Sequence, residues 1–170
     1  MWDIVSPYFE KYPAKAKVAQ ILVSYGLRVD DRGNICCGKI KIPSSAIAKS
    51  LKVDKRTVDS TLEIIKKDPF LKKIFSRLQP ICNLKSVASV IGGWDVLEIF
   101  VEDVHKPGLL APIADLIAKE EISIRQVVIG VSEDSKEEPV YIITEQPIPQ
   151  PTIRKIKEID GVREVRHILL

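Results

Sequence analysis

Residues 94–170 limit the possible folds most, because their apolar spacing switches repeatedly between a period of two and a period near 3.6. Leu97, Ile99 and Val101 alternate and predict a strand over 96–101. After a loop at 103–106, Pro107-Gly108 opens a helix that runs to residue 119, with Leu109, Leu110, Ile113, Leu116 and Ile117 inward. Residues 122–131 are rich in β-branched side chains and predict a second strand, followed by a polar loop at 132–138 and a third strand at 140–144. The three prolines within 146–151 block strand pairing and lead into a helix carrying Ile153, Ile156 and Ile159. Asp160-Gly161 ends that helix, and 162–170 predicts the last strand. The order βαββαβ specifies a split βαβ, ferredoxin-like sandwich. Its second strand lies at a sheet edge, and an apolar edge is an aggregation hazard unless covered. Pairing with the same strand of a second copy would cover it and give a two-fold homodimer.

Charge divides the chain at about the point where this pattern begins. Residues 1–94 hold 17 Lys and Arg against 8 Asp and Glu, a net of +9. Residues 95–170 hold 9 against 15, a net of −6. A basic half joined to an acidic half predicts two domains with different partners, and the basic one suits a polyanion. The expected layout is a helix-turn-helix domain over 1–78, a linker over 79–93 and the sandwich over 94–170, an α+β protein overall.

In the basic half, Val18, Ile21, Leu22 and Tyr25 predict a helix over 15–25 that stops at Gly26. Turn residues at 30–34 and the alternation around Ile40 and Ile42 predict a small hairpin. Ser44 is expected to cap a short helix with Ala46, Ile47, Ala48 and Leu51 on its apolar face. After a brief turn at Lys52-Val53, Asp54 is expected to cap a second helix over 55–67, with Val58, Leu62 and Ile65 inward. Asp68-Pro69 then starts a further helix over 70–78. The segment Ile47 to Val58 resembles the helix-turn-helix of winged-helix regulators, in which the residues after the Asp begin the recognition helix. That resemblance places Lys55, Arg56, Thr57 and Ser60 at base edges of double-stranded DNA. Arg56 can address guanine bidentately, while Lys49, Lys52 and Ser44 lie near phosphates. Asp59 on the same helix opposes a phosphate. The same two-helix geometry also serves protein docking or dimerisation, and the residues alone leave both open.

In the acidic half, Glu102 to Ile124, with Pro107-Gly108-Leu109-Leu110 followed at the right interval by Ile122-Ser123-Ile124, resembles the ACT domain, a small-molecule sensor usually of amino acids. Together with the later Ile142 to Pro149, the layout is similar to archaeal ACT-containing regulators of amino-acid metabolism. The resemblance implies an amino-acid effector held by Asp103, His105 and the turn at Gly108, Leu109 and Leu110, with Ser123 reaching across a dimer interface. The chemistry of the residues agrees with it. Free amides at a helix start suit a carboxylate, and Asp103 can pair with an ammonium group. Three positions depart from the family's pattern: His105 stands where it often has Asp or Asn, Ser123 where it often has Asn, and Glu121 where it often has Gly. A left-handed conformation at Glu121 would be strained. The competing reading of Pro107-Gly108 is a plain helix start in a structural dimerisation module.

The remaining features narrow the class. Cys36, Cys37 and Cys82 have neither zinc spacing nor a disulfide framework, and are expected to be reduced thiols in a cytoplasm. No apolar run approaches the ~20 residues of a membrane span, and no secretory leader is expected. There is no Walker loop, no G-x-S-x-G and no H-E-x-x-H, so neither an enzyme nor a metal or cofactor site is expected. His167 is expected to be an ordinary strand residue. The sequence thus predicts a cytoplasmic, dimeric, amino-acid-responsive transcriptional regulator. The alternatives are a regulatory subunit docking on a biosynthetic enzyme, or a structural dimerisation module.

Overall fold

Helix α1, Trp2–Val5, runs into a 3₁₀ turn, Ser6–Phe9, and Pro13 then sets the first turn of α2, Pro13–Ser24. This is a computed structural model, and it describes residues 1–88, 90–130 and 138–168. The chain divides into two units, Met1–Cys82 and Asn83–Leu170.

In the first unit, α2 stops at Gly26, whose φ of +61° turns the chain toward Leu27. Three short strands follow, β1 (Arg28–Val29), β2 (Ile35–Cys37) and β3 (Ile40–Ile42), forming an antiparallel sheet in that order. Asp30 closes the β1–β2 turn: its carboxylate accepts from the amides of Arg32 and Asn34 and from Asn34 Nδ2. Those bonds, the Asn34 side chain foremost, hold its carboxyl below the usual carboxylate range. Helices α3 (Ser44–Leu51), α4 (Lys55–Lys67) and α5 (Pro69–Phe75) complete the unit. Asp68 caps α5 by accepting from the amides of Phe70 and Leu71, and the helix ends at Phe75 rather than at 78. The core joins all of these elements, with Val18, Leu22, Ile35, Val58, Ile65, Leu71 and Phe75 buried in one cluster. A wing would be a hairpin after the recognition helix. Here the hairpin precedes α3 and α5 follows α4, so the strands are not placed as the winged-helix resemblance implies.

In the second unit, α6 (Lys85–Ala88) precedes β4 (Asp95–Val101), α7 (Leu110–Ala118), β5 (Ile124–Ile129), β6 (Val140–Thr144), α8 (Gln150–Lys157) and β7 (Val162–His167). The sheet order is β5-β6-β4-β7, every pair antiparallel. From β4 to β7 the elements follow the split βαβ order. One sheet face packs Leu97, Ile99 and Val140 with Ile113, Ile117, Ile153 and Ile156 of α7 and α8. The opposite face, with Val96, Tyr141 and Ile143, is covered by Leu84, Ala88 and Trp94, and the Leu84 amide donates to Gln126 Oε1. The stretch read as a linker, 79–93, is therefore divided between the two units.

Strand β5 lies at the edge, with Val127 and Ile129 exposed. Its register shifts between Ile124 and Gln126. The expected strand end at Val131, most of the 132–138 loop, and Leu169 and Leu170 of the last strand lie outside the described residues. Glu121 after α7 adopts a φ of +57°, the left-handed conformation that a non-glycine residue resists.

Two substitutions test these backbone constraints by equilibrium denaturation. A Cβ at Gly26 would stand 2.2 Å from the Gln79 carbonyl oxygen, in a left-handed conformation. Gly26→Ala is therefore expected to destabilise by more than the ~1 kcal/mol of the backbone term alone. Glu121→Gly is expected to stabilise by about 1 kcal/mol, because it removes that term with no ladder bond at stake.

Candidate functional site

The helix-turn-helix residues occupy a turn closed by backbone bonds. Lys52 is left-handed at φ +53°, and the Val53 amide donates back to Ala48 O at 3.0 Å. This closure satisfies carbonyls at the end of α3 and swings the chain directly into α4. Asp54 caps α4, accepting from the Arg56 amide at 2.7 Å. The expectation for Ser44 is corrected. Pro43, with no side-chain donor or acceptor, holds the cap position and Ser44 is the first helical residue. Its hydroxyl lies near enough to Asp59 to lower the pKa of that carboxyl.

The proposed reading face is unevenly charged. Lys55 and Arg56 are exposed, and Thr57 and Ser60 are half-buried. Lys55 Nζ meets Asp59 Oδ2 at 2.8 Å, so part of its charge is answered within the helix. That contact first, and Ser44 after it, hold the Asp59 carboxyl below the usual carboxylate range. The Ser60 hydroxyl donates to Thr57 O. Arg56, Lys49 and Lys52 make no ion pair among the described residues, so their charge faces solvent undiminished.

At the end of β4, Asp103 Oδ1 accepts from the His105 amide at 2.8 Å, and the Lys106 amide donates to Asp103 O. Gly108 has a φ of +85°, and a Cβ there would meet nothing within 4 Å. Its glycine serves the turn conformation rather than a close approach by the chain. Helix α7 begins at Leu110 with Leu109 at the cap position, two residues later than Pro107-Gly108 suggests. A cleft of about 300 Å³ opens here, lined among others by Gly108, Leu109, Leu110, Lys106 and Ile129. It brings together three of the six effector residues read from the sequence. Asp103 and His105 lie exposed on the same turn without lining the cleft. Ser123 is exposed before β5, its carbonyl accepting from the Glu145 amide.

Sequence reasoning missed two features of this unit. Lys106 stands on the cleft wall, 2.7 Å from Asp160 Oδ2, and the pair raises the ammonium pKa and lowers that of the carboxyl. Asp95 is buried, accepts from the amides of Val96 and Ile148, and pairs with His167 Nε2, whose Nδ1 faces Gln150 Nε2. A carboxylate in an otherwise apolar alternation is the signal that could have found the second. No group of three or more His, Cys, Asp and Glu among the described residues could hold a metal. Nor is any of their helices long and apolar enough to cross a membrane.

No protein-family model matches the sequence, and no curated protein matches it. Among solved structures, PH0061 is similar at 14% identity and a TM-score of 0.30, covering 92% of this chain and 90% of its own. An AsnC family transcriptional regulator from Agrobacterium tumefaciens is similar at 10% identity and a TM-score of 0.29, covering 91% of this chain and 86% of its own.

The carboxyl of Asp59 offers a direct check on the α4 geometry. In an NMR titration its midpoint is expected below the usual carboxylate range. Lys55→Ala is expected to move it back up further than Ser44→Ala. Because the folded pKa is depressed, the pair contributes stability above about pH 4 and loses it as pH falls through the folded midpoint. As an exposed i,i+4 pair it is worth only about 0.3–0.5 kcal/mol.

Proposed function

We propose that the chain is a cytoplasmic transcriptional regulator, not an enzyme, that binds duplex DNA through α3 and α4 and a small amino-acid effector beside α7. The observation that carries the reading is Arg56. It stands exposed and without an ion pair at the Asp54-capped start of α4, in a unit rich in lysine and arginine. A recognition helix uses its N-terminal side chains on base edges, and Lys55, Arg56, Thr57 and Ser60 occupy that end. Lys49 and Lys52, without ion pairs among the described residues, suit phosphates. Ser44, the first residue of α3, suits a further phosphate.

The second unit is the ACT-like sensor of this reading. Its cleft is mostly aliphatic and takes an apolar side chain, with Leu109, Leu110 and Ile129 among the walls. Lys106 and the turn at Gly108 take the carboxylate, while Asp103 and His105, exposed on the same turn outside the cleft, meet an ammonium group that projects from it. Homodimerisation through the exposed edge of β5 brings the partner's Ser123 to the same place and sets two α4 helices on two half-sites. The effector acts by favouring one arrangement of the dimer.

Arg56→Ala is expected to cost about 1–3 kcal/mol of DNA affinity and to relax preference at one base position, read by binding to a randomised duplex library. A melting panel with the twenty amino acids is expected to show a selective stabilisation, about 2.7 kcal/mol at a hundred times the dissociation constant. That ligand and DNA should change each other's affinity by the same factor. DNA binding unmoved by Arg56→Ala would overturn the recognition-helix assignment. A selective amino acid without DNA binding would favour a subunit that docks on an enzyme. No shift with any amino acid would leave a dimerisation module.

A further inference from the structure

We propose that the first unit carries a phosphate-binding cleft built from residues outside α3 and α4. The cleft measures about 480 Å³. Its walls come from three places in the sequence: Arg28 on β1, Gly38 and Lys39 at the β2–β3 turn, and the stretch 76–80 beyond α5, which supplies Ser76 and Arg77. Three cations thus surround one concavity, and no carboxylate lines it. Arg28, Lys39 and Arg77 make no ion pair among the described residues. Like charges gathered in this way repel one another and focus a positive potential that only an anion relieves.

The arrangement is fixed by backbone. Cys37 pairs with Ile40, so Gly38 and Lys39 form a two-residue hairpin loop, with Gly38 at φ +56° as its first residue. That is the position where a tight hairpin demands a glycine, and Lys39 stands beside it at the tip. Arg28 Nε donates to the Gly38 carbonyl at 3.1 Å, which holds the guanidinium against the hairpin. Behind it, the backbone of Gln79 and Pro80 passes so close to Gly26 that no side chain fits between them. The planar forks of Arg28 and Arg77 match phosphate oxygens bidentately, and Lys39 adds a point charge. Three cations exceed the charge of one phosphate group, so the cleft suits an anion with more than one. Its occupant is therefore a run of nucleic-acid backbone or a small molecule bearing a di- or triphosphate. The backbone case rests on the DNA-binding reading above, and the small-molecule case does not.

The test uses the full chain and the double variant Lys39→Ala with Arg77→Ala. Arg28 is kept because it holds the hairpin. Since the variant removes mutual repulsion, its melting temperature is expected to equal or exceed that of the parent. Pyrophosphate at constant ionic strength is expected to give saturable amide shifts at Gly38, Lys39, Ser76 and Arg77 that the double variant lacks. In parallel, duplex DNA affinity is measured across a salt series for the parent, for this variant and for Lys55→Ala with Arg56→Ala. A slope of log affinity against log salt shallower by about 1.8, the change expected when two phosphates are no longer neutralised, identifies nucleic-acid backbone as the occupant. Pyrophosphate shifts with an unchanged slope identify a free phosphorylated molecule. If no form of the protein binds DNA, the function proposed above fails while the pyrophosphate result still decides the cleft. No saturable shift and no change of slope in a folded variant overturns the proposal.

Discussion

Strand β4 is buried along its whole length, and that single fact organises the second unit. A strand paired on both sides and covered on both faces cannot rely on solvent for anything. Its odd positions meet α7 and α8. On its even positions, Val96 meets Leu84, Ala88 and Trp94, Glu98 takes the Tyr141 hydroxyl at 2.8 Å, and Phe100 lies under the Arg166 guanidinium. Burying a carboxylate costs several kcal/mol unless it is hydrogen-bonded, so these partners are a condition of the strand and not decoration. The same logic holds at Asp95, where two backbone amides and His167 satisfy the carboxylate and tie β7 and the approach to α8 to the sheet centre.

The order from α2 to α5 and from β4 to β7 was largely legible in the sequence through its apolar spacing, whereas α1 and the 3₁₀ turn at Ser6–Phe9 are too short to show a period, and the expected hairpin proved to be a three-stranded sheet. Asp54 was legible as a cap because a short acidic side chain precedes an amphipathic run. Ser44 was misleading for the same reason. Its hydroxyl has the right chemistry one residue too late, because the chain turns helical at Ser44 and leaves Pro43 at the cap position. At Pro107-Gly108 the prolyl and glycyl residues announce a turn, but the left-handed Gly108 delays the helix to Leu110. Lys106 escaped notice because a lysine in a loop reads as a solvated charge. Asp95 and His167 stand 72 positions apart and meet only through the pairing of Leu97 with His167. Pairings of that separation follow from topology and not from any local pattern.

Electrostatics in the first unit follow a consistent division. Lysines near acidic residues are partly answered, as Lys55 is by Asp59 and Lys72 is by Asp31. Arg28, Lys39, Lys49, Lys52, Arg56 and Arg77 are not answered by any carboxylate among the described residues. Exposed pairs contribute little to stability, so the unanswered cations cost the fold little and remain available to an external anion. The left-handed Lys52 belongs to this group. A glycine there would relax the backbone but discard a charge at the joint between α3 and α4.

The register shift in β5 bears on how that edge can be extended. A bulge leaves one residue unpaired and increases local twist, so regular hydrogen-bonding geometry runs only from Gln126 to Ile129. A second strand laid along this edge would find about four residues of regular template, a length within the ordinary range of strands. The irregularity next to Ile124 therefore marks where a strand added at this edge would lose regular pairing, and so bears on the register such a strand could take.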